Sequence, residues 1–256
     1  MITDVNVNLS RWPFRRLPCD EPARLVERLE ACGVTQAWAG SFDGLLHKDL
    51  GGVNARLAED CRKAPAGLLR PFGAVNPTLP DWREDLRRCH EDYHMPGIRL
   101  HPNYHGYRLD DPLFAELLAE AERRGLVVAL AVRMEDPRMQ HPLTRVPDVD
   151  TGPLPALLAN RPGLRLVLLN ALGPLRGAAI TSLIGAGQVC FEISTLEGVG
   201  GIGSLLDRFP LDRLLFGSHF PYFLLESAIL KLQESDLSAE QVKAITRENA
   251  ASILAE

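Results

Sequence analysis

The chain has 256 residues, 46% hydrophobic and 24% charged, which suits one large α/β barrel or two small domains with a substantial core. A formal net charge of −5 removes any electrostatic case for nucleic acid or an anionic membrane as partner, and no apolar run approaches the length of a membrane span. The chain opens on a strand-like pattern without a basic-then-apolar leader, and its five cysteines (Cys19, Cys32, Cys61, Cys89, Cys190) are scattered, so a cytoplasmic protein with reduced thiols is expected.

In chain order, Ile2 to Asn8 alternates apolar with polar residues, the period of a strand. Asn6 and Asn8, two apart, then share one face. A helix follows from Glu21 to Cys32, with Pro22 early and Gly33 closing it. Val34 to Trp38 is a second strand, Gly52 to Arg62 a helix, Arg70 to Val75 a third strand, and Asp81 to Tyr93 a helix. Gly97 to His101 is the fourth strand. Asp111 and Pro112 open the next helix as N-cap and first residue, and it ends at Arg124-Gly125. Leu126 to Val132 is the most apolar strand, the continuous run that a parallel strand buried on both faces requires. After a Pro-rich loop come a helix (Pro153 to Asn160), the sixth strand (Leu164 to Leu169), a helix (Pro174 to Ile184), the seventh strand (Val189 to Ser194), a helix (Ile202 to Phe209), the eighth strand (Arg213 to Gly217) and helices over Leu224 to Leu254.

Eight strands alternating with helices, with no low-complexity linker, predict one α/β domain over residues 1–256, a (β/α)8 barrel. A doubly wound open sheet is the weaker alternative, because no Gly-x-Gly-x-x-Gly follows the first strand. In a barrel, Asn6 and Asn8 lie at the carboxyl end of their strand, where such folds place active sites. The Gly-rich stretch from Glu197 to Gly203 follows the seventh strand, and is either an anion-binding loop or a plain connection.

Several strand ends carry a resemblance to a known family. Asp4-Val5-Asn6-Val7-Asn8 resembles the Asp-x-His-x-His opening of the amidohydrolase-2 branch of the amidohydrolase superfamily, which includes the aminocarboxymuconate-semialdehyde decarboxylase-like proteins. Gly97-Ile98-Arg99-Leu100-His101-Pro102 is similar to its fourth strand, and Leu166 to Gly173 to its sixth, usually ending in His-x-Gly. Gly217-Ser218-His219-Phe220-Pro221 is similar to its Gly-Ser-Asp-x-Pro, and Glu248 to Leu254 to its closing helix. The resemblance spans the chain and implies a TIM barrel of metal-dependent hydrolase type. It also implies metal ligands on the first, fifth, sixth and eighth strands, where this sequence has Asn6, Asn8, Arg133, Asn170 and His219. Asparagine amides are weakly basic and arginine is cationic, so no metal and no other cofactor is expected.

Arg99 and Arg133 offer planar forks for a carboxylate, and Asn6, Asn8 and Asn170 offer hydrogen bonds to a polar ligand. The asparagines could equally satisfy one another, and Arg99 could pair with Glu192. His101 and His219 are the candidate acid–base residues, with Tyr104 and Tyr222 lining the pocket. His105 follows on a loop, whereas His47, His90, His94 and His141 belong to the surface. Ser218 lacks the Gly-x-Ser-x-Gly context of a nucleophile elbow. The expected ligand is a small anion. The expected activity is metal-free hydrolysis of a carboxylate-bearing ester, lactone or amide; the alternative is a non-catalytic anion-binding barrel.

Overall fold

The computed structural model describes residues 1–255. Its strands are β1 (Ile2–Leu9), β2 (Val34–Ser41), β3 (Leu69–Ala74), β4 (Gly97–Leu100), β5 (Val127–Ala131), β6 (Arg165–Leu169), β7 (Gln188–Glu192) and β8 (Leu214–Leu215). They run in chain order around one sheet, each neighbour pair parallel. Closure is made by β1 against the segment after β8: Val5 N donates to the Phe216 carbonyl at 3.0 Å and Asn8 N to the Phe220 carbonyl at 2.9 Å. The result is a TIM barrel. β8 is shorter than the pattern predicts, because Phe216 N turns to the Ile245 carbonyl instead of extending the ladder.

The helices are α1 (Pro22–Ala31), α2 (Leu50–Lys63), α3 (Trp82–Arg87), α4 (Pro102–His105), α5 (Pro112–Arg123), α6 (Leu154–Ala159), α7 (Ala178–Ala186), α8 (Gly201–Leu206), α9 (Leu225–Gln233), α10 (Ala239–Lys243) and α11 (Asn249–Ala255). None is long and apolar enough to cross a membrane, among the described residues. Local chemistry sets their ends. Asp111 caps α5 by accepting from Leu113 N at 2.8 Å, with Pro112 at the first position. Buried Asn54 of α2 bonds both backbone groups of Ala74, at 2.8 and 2.9 Å, and so pins α2 to the end of β3. α4 is a single turn where a loop is expected; Pro102 supplies its first residue and Gly106, at φ 73°, ends it.

Strand alternation divides the core. Val128 and Leu130 of β5 face the helices, whereas Val127, Ala129 and Ala131 fill the barrel with Val5, Trp38 and Phe72. The Trp38 and Phe72 rings stack at 4.8 Å. β1 breaks the rule: its register against β2 shifts between Asp4 and Val7, so Val5 lies inside and Val7 outside. That irregularity lets Val5 and Asn6, adjacent in sequence, both reach the interior.

Candidate active site

The carboxyl ends of the strands converge on a buried polar layer. Asn6 Nδ2 donates to Asn170 Oδ1 at 2.8 Å and to Glu192 Oε1 at 3.2 Å. Ser194 Oγ lies 2.8 Å from both of those acceptors, and Glu192 also accepts from the backbone N–H groups of Asn170 and Ser194. The second amide arm of Asn170, Nδ2, donates to the Arg133 carbonyl at 2.6 Å. Glu192 has no exposed surface, and its side chain fits because residue 217 is glycine: a Cβ there would meet Glu192 at 2.5 Å. Asp4 lies alongside, accepting from Asn6 N, Ser218 N and Ser218 Oγ. Burial pushes the Asp4 carboxyl up to about 6, against the pull of those hydrogen bonds, and the charge of Glu192 adds to the rise.

Arg99 is 1% exposed and lies across the barrel. Its Nη1 donates to the Val7 carbonyl at 2.9 Å and Asn8 Oδ1 at 2.8 Å; Nη2 donates to the carbonyls of Trp38 at 3.0 Å and Val5 at 3.4 Å. Gly40 makes room for it, since a Cβ there would sit 2.7 Å from Arg99 Cδ. Burial lowers the guanidinium to about 10, with Asp4 and Glu192 opposing, so it stays charged at neutral pH.

The two candidate histidines are buried. His219 Nε2 lies 2.9 Å from the Met134 carbonyl, and its ring stacks on Tyr222 at 5.0 Å. A carbonyl only accepts, so Nε2 carries the proton and Nδ1 holds a lone pair, without a protein partner. Burial lowers His219 to about 4; the Met134 carbonyl opposes this and Arg99 adds to it. His101 is pushed well below its usual value by burial first, then by the charges His105, Arg99 and His219 would carry. Its Nδ1 is unpartnered too, as are Asn8 Nδ2 and Trp12 Nε1. Asn170 at φ 54° and His219 at φ 58° both adopt the left-handed region that favours glycine, at the ends of β6 and β8, where strained backbone re-aims side chains.

Of the predicted residues, Asn6 and Asn170 meet directly, Asn8 meets Arg99, and His101 and His219 come within electrostatic reach of each other and of Arg99. Tyr222 stands at the rim with its hydroxyl 2.6 Å from Glu135; Tyr104 is partly buried near the same carboxylate. Two expectations need correction. Arg99 Nη1 and Nη2 go to backbone carbonyls and Asn8, with Nε unpartnered, and make no bonded pair with Glu192. Arg133 sends its guanidinium to Asp148, with bonds of 2.7 and 2.5 Å, and contributes only its carbonyl to the polar layer. The charge expected of the mouth also changes, because buried Asp4, Glu192 and Glu135 offset the arginines. Asp4 was legible as part of the first-strand motif; Glu135 lies in the loop of residues 132–153, where no periodicity marks a direction. The Gly-rich loop leads into the six-residue α8, and nearby Lys231 Nζ donates to the Ile193 and Ser194 carbonyls. His47, His94 and His141 are exposed and His90 half-buried.

The groups standing where the family resemblance implies metal ligands are already engaged. Asn6 and Asn170 are engaged with each other, Asn8 Oδ1 receives a guanidinium, and His219 Nε2 donates to a carbonyl. Among the described residues, no group of three or more His, Cys, Asp or Glu is placed to hold an ion. No disulfide joins the five cysteines.

No curated protein matches by sequence. Among solved structures, a TIM-barrel protein from Bordetella bronchiseptica is similar with TM-score 0.75 and 17% identity, covering 99% of this chain and 98% of that one. A dihydroxybenzoic acid decarboxylase from Polaromonas, with bound manganese and 2-nitroresorcinol, has TM-score 0.73 and 14% identity over 99% of this chain and 96% of its own. 4-Oxalomesaconate hydratase from Rhodopseudomonas palustris has TM-score 0.68 and 15% identity, with 100% and 96% covered. The amidohydrolase family model, of the amidohydrolase-2 type, matches residues 13–255, and the chain belongs to that family.

Proposed function

We propose that the chain is a cytoplasmic hydrolase that acts on a small carboxylate-bearing ester, lactone or amide at the barrel mouth, without the family's divalent metal. The observation that carries this reading is the contact of His219 Nε2 with the Met134 carbonyl, which leaves the buried Nδ1 as a bare lone pair; Asn8 Nδ2 and Trp12 Nε1 are further buried donors without a protein partner. A neutral imidazole lone pair suits a general base, and buried N–H donors suit a developing oxyanion. In the reaction, Nδ1 takes a proton from water as the water oxygen bonds to the carbonyl carbon. Asn8 Nδ2 and Trp12 Nε1 donate to the oxyanion. The imidazolium then returns the proton to the leaving oxygen or nitrogen as its bond to carbon breaks. His101, at the end of β4 with its Nδ1 unpartnered, is the other candidate base. The carboxylate in the substrate class is supported by the similar decarboxylase, which handles a dihydroxybenzoic acid.

The test is a panel of ester, lactone and amide derivatives of small carboxylic acids, assayed on chelator-treated protein. Hydrolysis that is unchanged by the chelator is expected. Turnover that appears only after a metal is restored would contradict the metal-free reading. A second reading, a non-catalytic barrel, draws on the closed Asn6–Asn170–Glu192–Ser194 layer, whose groups already satisfy one another. Binding of a carboxylate without turnover of any panel member decides for it.

A further inference from the structure

With the guanidinium of Arg133 paired to Asp148 and both Nη atoms of Arg99 bonded to protein, a ligand carboxylate needs another receptor. Arg15, in the loop after β1, places its Cζ 4.9 Å from the centroid of the Tyr222 ring. Its Nη1 donates to Glu135 Oε1 at 2.9 Å, and the Tyr222 hydroxyl donates to the same oxygen at 2.6 Å. A guanidinium stacked on an aromatic ring beside a phenolic donor is a carboxylate receptor by chemistry. It is occupied by the protein's own carboxylate. Exposure differs across the pair: the Glu135 side chain is 3% exposed and that of Arg15 41%, so a dissolved anion can reach the receptor from outside.

Glu135 belongs to the long connection between β5 and α6. The connection is tied to the rest of the barrel by hydrogen bonds: the Arg133 carbonyl accepts from Asn170, the Met134 carbonyl from His219, Glu135 from Arg15 and Tyr222, and the Pro147 carbonyl from Asn103 Nδ2, while Arg133 and Asp148 pair within the connection itself. Beneath it, a small pocket is bounded by His101, Tyr104, Arg133, Met134 and Pro147. Glu135 directly follows Met134, whose carbonyl accepts from His219.

We propose that Arg15 and Tyr222 form a carboxylate receptor, and that Glu135 is an internal competitor which ties the β5–α6 connection to it until a ligand carboxylate takes its place. The exchange leaves the charge of the site unchanged: one carboxylate leaves the two donors for water and another takes its place. An intramolecular competitor acts at a high effective concentration, so it weakens every external carboxylate in the same proportion. This deepens the reading of the mouth as a ligand site, and rests on it.

The experiment is calorimetric titration of benzoate and of succinate into wild type, Glu135→Gln, Glu135→Ala and the double variant Glu135→Ala/Arg15→Ala. Tryptophan fluorescence gives a parallel readout, since the Trp12 and Tyr222 rings lie 5.0 Å apart. Both Glu135 variants are expected to bind at least one probe about tenfold or more tightly than wild type, and the double variant is expected to lose that gain. Glu135→Gln keeps the side-chain volume, and carries the comparison if the alanine variant unfolds. Equal affinity in wild type and the Glu135 variants, or a gain that survives Arg15→Ala, overturns the proposal. No turnover enters the measurement, so a protein that binds these probes but hydrolyses nothing refutes the hydrolase reading alone.

Discussion

Replacing His219 with phenylalanine is expected to lower hydrolysis by about 10²- to 10⁴-fold, the range for a positioned general base. The ring stack on Tyr222 at 5.0 Å and the edge contact with Phe223 at 5.3 Å can persist in the variant, so the barrel should still fold. Its stability should fall by roughly 1–3 kcal/mol, because the buried Met134 carbonyl loses its donor. The pH profile supplies the independent signature. The base works in its neutral form, and burial lowers its pKa to about 4, below the unperturbed value near 6.5. Lowering the pKa extends the neutral form toward acid, so the wild-type rate should stay level from neutral pH down to about pH 5 and decline below it. A decline centred near 6.5 would mean that a solvated histidine is the base. Activity unchanged in the phenylalanine variant would remove His219 from the chemistry altogether.

The other large effect belongs to folding. Arg99→Met is expected to destabilise the barrel by roughly 3–5 kcal/mol, the range for removing one member of a buried charged constellation. Three carbonyls and Asn8 Oδ1 lose donors at once, while the carboxylates of Asp4 and Glu192 lose the cation that offsets them. Methionine fills most of the volume, so the loss reports the polar network rather than a cavity. Arg99→Lys should rescue little, since an ammonium on one stem cannot reach the two sides of the fork that join β1 to β2. Denaturant unfolding monitored by tryptophan fluorescence measures it. A change within about 1 kcal/mol would show that Arg99 is not a structural tie and would return it to the list of candidate ligand contacts.

The barrel was legible because its signals are local and repeated. β5 reads as a run of Val and Leu because both of its faces are covered, and Asp111-Pro112 announces α5 by cap chemistry. The pairing of Asn6 with Asn170 followed from placing both at strand ends. Other features depend on contacts that no local pattern records. Whether Arg99 aims at a ligand or at the carbonyls of β1 and β2 depends on Gly40 of β2, two strands away, which leaves the space beside it. Strict alternation predicts Val5 and Val7 on one face, and the bulge in β1 separates them. Glu135 and Arg15 meet across loops far apart in sequence, where neither periodicity nor capping constrains direction.

The family resemblance implies a metal at the carboxyl ends of the first, sixth and eighth strands. Here those ends carry a hydrogen-bonded layer of Asn6, Asn170, Glu192 and Ser194, flanked by Arg99 and a His219 whose Nε2 already donates. The most direct measurement is the metal stoichiometry of protein purified after growth with added zinc and manganese, combined with anomalous diffraction from its crystals. No stoichiometric metal and no anomalous peak at the mouth are expected. One ion per chain, with its peak at bonding distance from Asn6, Asn8, Asn170 or His219, would contradict the metal-free reading.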